Sequence, residues 1–255
     1  MSDSGLDQAI RAAGGITELA RRIGISQPSV SNWSRIPAER VLSVEAATGV
    51  ARAILRPDLY AQSGEGDDVE AARAQEYALL AVLLARAPDQ ALLQRIAKLR
   101  GDATPLGLAH AALAQAAGAA EAGTVGREYF NLFIGVGRGE LLPYGSYYLT
   151  GFLHERPLAR LRGELAALGI ARAENQYEPE DHAATLCETM AGLIGGPFAA
   201  PVDTQKRVFE RHLAPWIGRF FADLESAKDA PFYRHVGTIG RLFVEIETEA
   251  FALSA

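Results

Sequence analysis

In Pro231-Phe-Tyr-Arg-His-Val-Gly-Thr-Ile-Gly-Arg-Leu-Phe-Val-Glu-Ile-Glu-Thr-Glu-Ala-Phe-Ala-Leu253, the apolar positions Phe232, Val236, Ile239, Phe243, Ile246, Ala250 and Leu253 step by four and three in alternation. That spacing draws one apolar stripe along a long helix beginning after Pro231. The same period recurs in Phe209, Leu213, Trp216, Phe220 and Leu224, and in Tyr77, Leu80, Ala81 and Leu84. No segment alternates with period two, so the chain is read as all-α, a small unit joined by a linker to a larger helical one. The longest loop is expected over Gly135 to Pro143.

The chain has 255 residues and is 49% hydrophobic, enough for one large core or a large and a small one. Met1-Ser-Asp-Ser-Gly-Leu-Asp-Gln8 lacks the basic-then-apolar order of a signal peptide. The run Ala103 to Ala122 is mostly Ala and Gly, is interrupted by Pro105, His110 and Gln115, and reads as a soluble helix rather than a membrane span. The single cysteine, Cys187, rules out an intrachain disulfide or a multi-cysteine metal site and fits a reducing compartment, so the expected location is cytoplasmic. Residues 1–60 carry seven arginines and six acids, a balance of +1, so with the chain at −6 the remainder holds −7. An acidic surface attracts basic peptides, and the two parts are expected to have different partners. The small and acidic run Ala61-Gln-Ser-Gly-Glu-Gly-Asp-Asp-Val-Glu70 reads as a solvated linker. The expected organisation is 1–60, a linker over 61–70, and 71–255.

Ile16-Thr-Glu-Leu-Ala-Arg-Arg-Ile-Gly-Ile-Ser-Gln-Pro-Ser-Val-Ser-Asn-Trp33 reads as helix, tight turn, helix. Ile16, Leu19, Ala20 and Ile23 form the inner stripe, Gly24 permits the turn, Ser26 caps the next helix and Pro28 suits its first turn. Val30 and Trp33 face inward, which leaves Gln27, Ser31, Asn32 and Arg35 outside as the expected DNA contacts. The spacing is similar to the Cro/repressor type of helix-turn-helix. With the continuation Ile36 to Gly49 and Leu55 to Tyr60, residues 5–60 closely resemble its YdaS-like branch. Such a fold also serves elsewhere as a packing or dimerisation module, because its inner stripe is independent of its outer residues.

Between these segments lies Glu178-Pro-Glu-Asp-His182. Pro179 suits a first helical turn, and Glu180 and Asp181 there would face the positive end of the helix dipole. Ala183, Leu186, Cys187, Met190, Leu193 and Ile194 then share one face, His182 borders it, and Asp181 points away with Glu188 into solvent. Asp181 and His182 are adjacent and diverge, and no HxxxH or HExxH occurs, so neither a metal site nor a bound cofactor is expected. A Glu178–Asp181 acid/base pair has no pocket attached to it in the sequence, there is no P-loop or G-x-S-x-G, and Gly135-Val-Gly-Arg-Gly139 is too short for a dinucleotide fingerprint. The chain is therefore not expected to be an enzyme.

Five blocks in order carry a further resemblance: Glu128-Tyr-Phe-Asn-Leu-Phe-Ile-Gly135, Pro143-Tyr-Gly-Ser-Tyr-Tyr148, Glu178-Pro-Glu-Asp-His182, His212-Leu-Ala-Pro-Trp-Ile-Gly-Arg-Phe220 and Pro231-Phe-Tyr-Arg-His-Val-Gly237. Over residues 72–253 the chain resembles the TorD/DmsD/NarJ family of redox-enzyme maturation chaperones. The resemblance implies an all-helical cytoplasmic chaperone that binds the twin-arginine signal peptide and apo catalytic subunit of a molybdoenzyme. It carries signal-peptide binding onto Pro143, Tyr144, Gly145, Ser146, Glu178, Pro179, Asp181 and His182. A receptor for paired guanidinium groups ahead of an apolar segment needs carboxylates beside an apolar groove. Asp181, read as solvated, fits the first need, and Tyr144, Tyr147, Tyr148 and Phe152 the second; His182 is read either as a peptide contact or as a structural hydrogen-bonder. Many relatives have Trp where this chain has Tyr144, and an acid near Leu149-Thr-Gly151 where this chain has none. The blocks Leu186 to Leu193 and His212 to Trp216 look closest to members associated with formate dehydrogenases. The alternative function is a DNA-binding transcription regulator whose larger unit is a sensor. A homodimer is compatible with both, and no membrane insertion is expected.

Overall fold

The computed structural model describes residues 4–60, 65–172 and 178–253. They form helices, with no strand among the described residues and a single isolated antiparallel bridge between Tyr144 and His182. The chain is all-α and divides into two compact units, Met1–Ala71 and Ala72–Ala255.

The first unit holds α1 (Gly5–Ala13), α2 (Ile16–Arg22), α3 (Gln27–Ser31), α4 (Val41–Thr48), α5 (Arg52–Leu55) and α6 (Pro57–Tyr60), with a 3-10 turn at Ala38–Arg40. Ser4 and Asp7 form a capping box on α1, while Ser26 caps α3 by accepting from the Ser29 amide. Gly24 sits at φ 70° between α2 and α3, where a side chain would be strained. Leu19, Ala20 and Val30 are buried with Ala9, Ile36, Val41 and Val44, and Ile16, Ile23 and Trp33 pack against them half-buried.

The second unit is built from α7 (Glu65–Ala85), α8 (Gln90–Ile96), α9 (Pro105–Ala119), α10 (Ala122–Tyr129), α11 (Gly145–Thr150), α12 (Arg156–Ala167), α13 (Ala183–Gly195), α14 (Val202–Val208), α15 (Ile217–Glu225) and α16 (Tyr233–Leu253). One core gathers Tyr77, Leu83, Leu113, Met190, Phe220, Phe221 and Tyr233. The run Ala103 to Ala122 holds α9, capped by Thr104, and ends where α10 begins, and no described helix is long and apolar enough to cross a membrane.

Three details differ from the sequence-based expectation. Of the expected linker, 61–64 lie outside the described residues, whereas 65–70 open α7, because a polar segment can be carried in a helix whose later turns pack into a core. Phe232, just ahead of α16, and Val236, Ile239 and Phe243 along it are buried, but Ile246 and Leu253 are exposed. The buried face instead continues through Gly237, Gly240, Val244, Glu247 and Phe251. Gly237 and Gly240 allow α15 to approach closely, since a Cβ would lie 2.4 Å from the Glu225 amide at the first and 2.2 Å from the Phe221 ring at the second. Finally, one-turn π segments at Phe130–Ile134 and Phe209–Leu213 follow α10 and α14.

Candidate functional site

The segment Glu178–His182 is a turn that precedes α13 and is not its first turn. The His182 amide donates to the Pro179 carbonyl at 3.0 Å, and the His182 imidazole caps α13 by accepting from the Ala184 amide through Nδ1 at 3.1 Å. Because Nδ1 accepts, the neutral ring carries its proton on Nε2. Burial pulls the His182 pKa below its ordinary value against the opposing pull of Glu178 and Asp181, so the ring is neutral near pH 7. Behind this cap, Ala183, Leu186, Cys187, Met190, Leu193 and Ile194 are all buried as the spacing implied.

Asp181 is not solvated; it is only 3% exposed. Its carbonyl accepts from the Gly145 amide at 2.9 Å and its Oδ2 from the Ser146 amide at 2.7 Å, so it anchors the start of α11. The reading of Asp181 as an outward acid fails because its hydrogen-bond partners come from a segment 35 residues upstream. The Ala183 amide donates to the Pro143 carbonyl at 2.8 Å, which completes a lock between 143–146 and 178–182. Pro143, Gly145, Ser146, Asp181 and His182 are buried within it. Among the described residues, Asp181 Oδ1 and Ser146 Oγ are buried without a hydrogen-bond partner. The fit at Gly145 is close: a Cβ would stand 3.0 Å from Trp216 Nε1, so the indole, which donates to the His212 carbonyl, would have to give by a few tenths of an ångström.

Three of the five ordered blocks thus meet at one place. The other two meet elsewhere: Glu128 Oε1 accepts from the Tyr233 amide at 2.6 Å and from the Phe232 amide at 3.1 Å, which caps α16. Sequence order showed the blocks but not this division into two clusters.

What the lock presents outward is Tyr144 and Glu178. The Tyr144 hydroxyl donates to Glu178 Oε2 at 2.6 Å, and the ring lies edge-on to His182. Of the expected aromatic wall, Tyr148 is half-buried against Trp216 and donates to Asp223, and the Tyr147 hydroxyl accepts from Arg138. Phe152 stands 69% exposed.

Helix α12 separates two cavities beside this lock. The first, about 770 Å³, includes Gly145, Asp181, Arg160, Glu164, Arg211 and His212 in its lining. Glu164 is its hub, accepting from Arg207 Nε and pairing with His212 Nε2, both at 2.8 Å. Burial works to raise the Glu164 pKa, but Arg207, His212 and Arg211 outweigh it and hold the carboxyl below its ordinary value. The second cavity, about 480 Å³, has an apolar floor of Leu165, Ile170 and Phe198 and an acidic edge of Glu178, Glu180 and Glu188. Glu180 pairs with Arg162 at 2.8 Å. Neither Glu164 nor Glu188 stands out in the sequence; each is an isolated acid on an amphipathic helix. No group of three or more His, Cys, Asp or Glu positioned for a metal ion occurs among the described residues.

In the first unit Gln27, Ser31, Asn32 and Arg35 are all exposed on and just beyond α3. Gln27 Nε2 donates to Ser31 Oγ at 2.8 Å, and Arg35 Nη1 lies 3.3 Å from Asp58 Oδ2.

Fold and site together define a two-unit helical chain, a capped helix-turn-helix followed by a bundle with an interlocked two-cavity site. Residues 6–63 match the family model described as bacterial toxin YdaS, and residues 99–222 match the one described as nitrate reductase delta subunit. Among curated proteins, Chaperone protein TorD from three strains of Vibrio cholerae serotype O1 is 28% identical over 102 residues, covering 36% of this chain and 46% of each relative. The chain therefore spans less than half the length of the curated relatives it matches. It joins a YdaS-like helix-turn-helix segment to a TorD-like helical segment.

Proposed function

We propose that this chain is a cytoplasmic maturation chaperone, not an enzyme, that binds the twin-arginine leader and apo catalytic subunit of a molybdoenzyme, with a formate dehydrogenase as the client class. The observation that carries the reading is the lock between Pro143–Ser146 and Glu178–His182. It holds Tyr144 and Glu178 at its surface and lies beside an apolar groove edged with carboxylates. Paired guanidinium groups followed by apolar residues are complementary to such a surface. The curated relatives named as chaperones support the same assignment. Within it, Asp181 and His182 shape the site rather than offer exposed charge. Asp181→Asn is expected to weaken leader binding indirectly, through the Ser146 anchor. The experiment that tests the function is calorimetric titration of the full chain with a synthetic leader peptide.

A second activity rests on the outer face of α3. Gln27 and Ser31 are exposed hydrogen-bonding side chains on one short helix of a helix-turn-helix, with exposed Asn32 at its C-cap and Arg35 just beyond. DNA binding through this unit would make the chain a transcription regulator whose TorD-like part senses unprocessed client. Mobility shift with DNA upstream of the chain's own operon is expected to show a complex that weakens as salt rises. Asn32→Ala is expected to cost about 1–3 kcal/mol of specific affinity, and absence of a complex at low salt would rule the activity out.

A further inference from the structure

Resting on the leader-binding reading, we infer that the arginine pair seats in the smaller cavity between α12 and α13, with Glu188 as its principal acceptor. The apolar residues that follow the pair lie on Leu165, Ile170 and Phe198. The motif residues of the lock then form one edge of the groove, not its charged centre.

The two cavities differ in charge. Around the larger one stand Arg160, Arg207 and Arg211. Its hub carboxylate, Glu164, is already engaged by Arg207 and His212, while Asp181 lies buried with one oxygen committed to the Ser146 amide. A guanidinium entering there would meet cations of its own sign. Around the smaller one, three carboxylates face two guanidinium groups. Arg162 is spent on Glu180, and Arg172 donates to the Glu178 main-chain carbonyl. Glu188 is exposed, and among the described residues it makes no hydrogen bond or ion pair, so both of its oxygens are available for a bidentate fork. Helix α13 holds it rigidly above the apolar floor, where Leu165 is buried and Phe198 is 42% exposed. A receptor for a cation followed by apolar side chains needs this combination, and the larger cavity lacks it.

The test titrates the full chain with a synthetic leader carrying Arg-Arg before an apolar segment, and with its Gln-Gln counterpart. Glu188→Gln is expected to weaken the Arg-Arg leader about tenfold, the equivalent of about 1.4 kcal/mol, and to leave the Gln-Gln leader unchanged. Glu188 is exposed, so the variant keeps the fold, which circular dichroism checks. Phe198→Ala is expected to weaken both leaders alike. Arg211→Ala, in the larger cavity, is expected to change neither. Wild-type discrimination between the leaders that survives Glu188→Gln, or is lost with Arg211→Ala, overturns the seat while leaving leader binding intact. No binding of either leader by the wild type overturns both.

Discussion

Glu247→Ala is expected to destabilise the larger unit by about 3–5 kcal/mol and to lower its thermal midpoint by on the order of 10 °C. Glu247 is 1% exposed, yet it lies on the buried face of α16. It is tolerated because Arg73 grips it with two hydrogen bonds, at 2.6 and 2.8 Å, and the Tyr77 hydroxyl donates a third at 3.0 Å. Arg73 also donates to Gln205 and stacks over Phe251, so the network ties α7, α14 and α16 together. Removing the carboxylate alone takes from a largely buried guanidinium the two hydrogen bonds that Glu247 accepts and leaves the buried Tyr77 hydroxyl without its acceptor, which costs far more than the intact pair contributes. A double variant with Met at both Glu247 and Arg73 is accordingly expected to recover part of the loss. Thermal and urea unfolding of the single and double variants measure both effects; a Glu247→Ala loss under about 1 kcal/mol would contradict the assigned role.

Glu128→Ala is expected to cost about 2–4 kcal/mol, because it leaves the Phe232 and Tyr233 amides buried without an acceptor. Glu128→Gln keeps one acceptor oxygen and is expected to cost less. The two also differ in pH dependence. Burial raises the Glu128 pKa above its ordinary value, only partly offset by the two amides and Arg234. With the folded-state value above the unfolded one, the stability linked to its proton is present in full below about 4.5 and is lost as pH rises through the folded-state value. The wild type is thus expected to show a downward stability increment across that window that Glu128→Gln lacks, read from urea midpoints at stepped pH.

How much of this was legible in the sequence depended on the range of the interaction. The helix-turn-helix is set by contacts within a few residues, and the Ser26 cap, the Gly24 turn and the Leu19–Ala20–Val30 interior follow from spacing. Along α16 the apolar stripe was half right. Glycines that let α15 approach and an acid neutralised from 174 residues away leave no trace in a count of apolar positions. Asp181 was read as solvated because local pattern cannot see the amide of Ser146. The π segment at Phe209–Leu213 shifts helical register, yet Phe209, Leu213, Trp216, Phe220 and Leu224 are all buried as the spacing implied. The candidate site was legible as ordered motifs, whereas its cavities and their opposite charge depend on α12, which no motif marked.

The central claim is that this chain receives a twin-arginine leader at the lock and its acidic groove. Calorimetric titration of the full chain with a synthetic leader in Arg-Arg and Gln-Gln forms tests it most directly. Saturable one-to-one binding of the Arg-Arg leader, weakened about tenfold or more in the Gln-Gln form, is the predicted result; equal affinity for the two, or binding of neither, would contradict it.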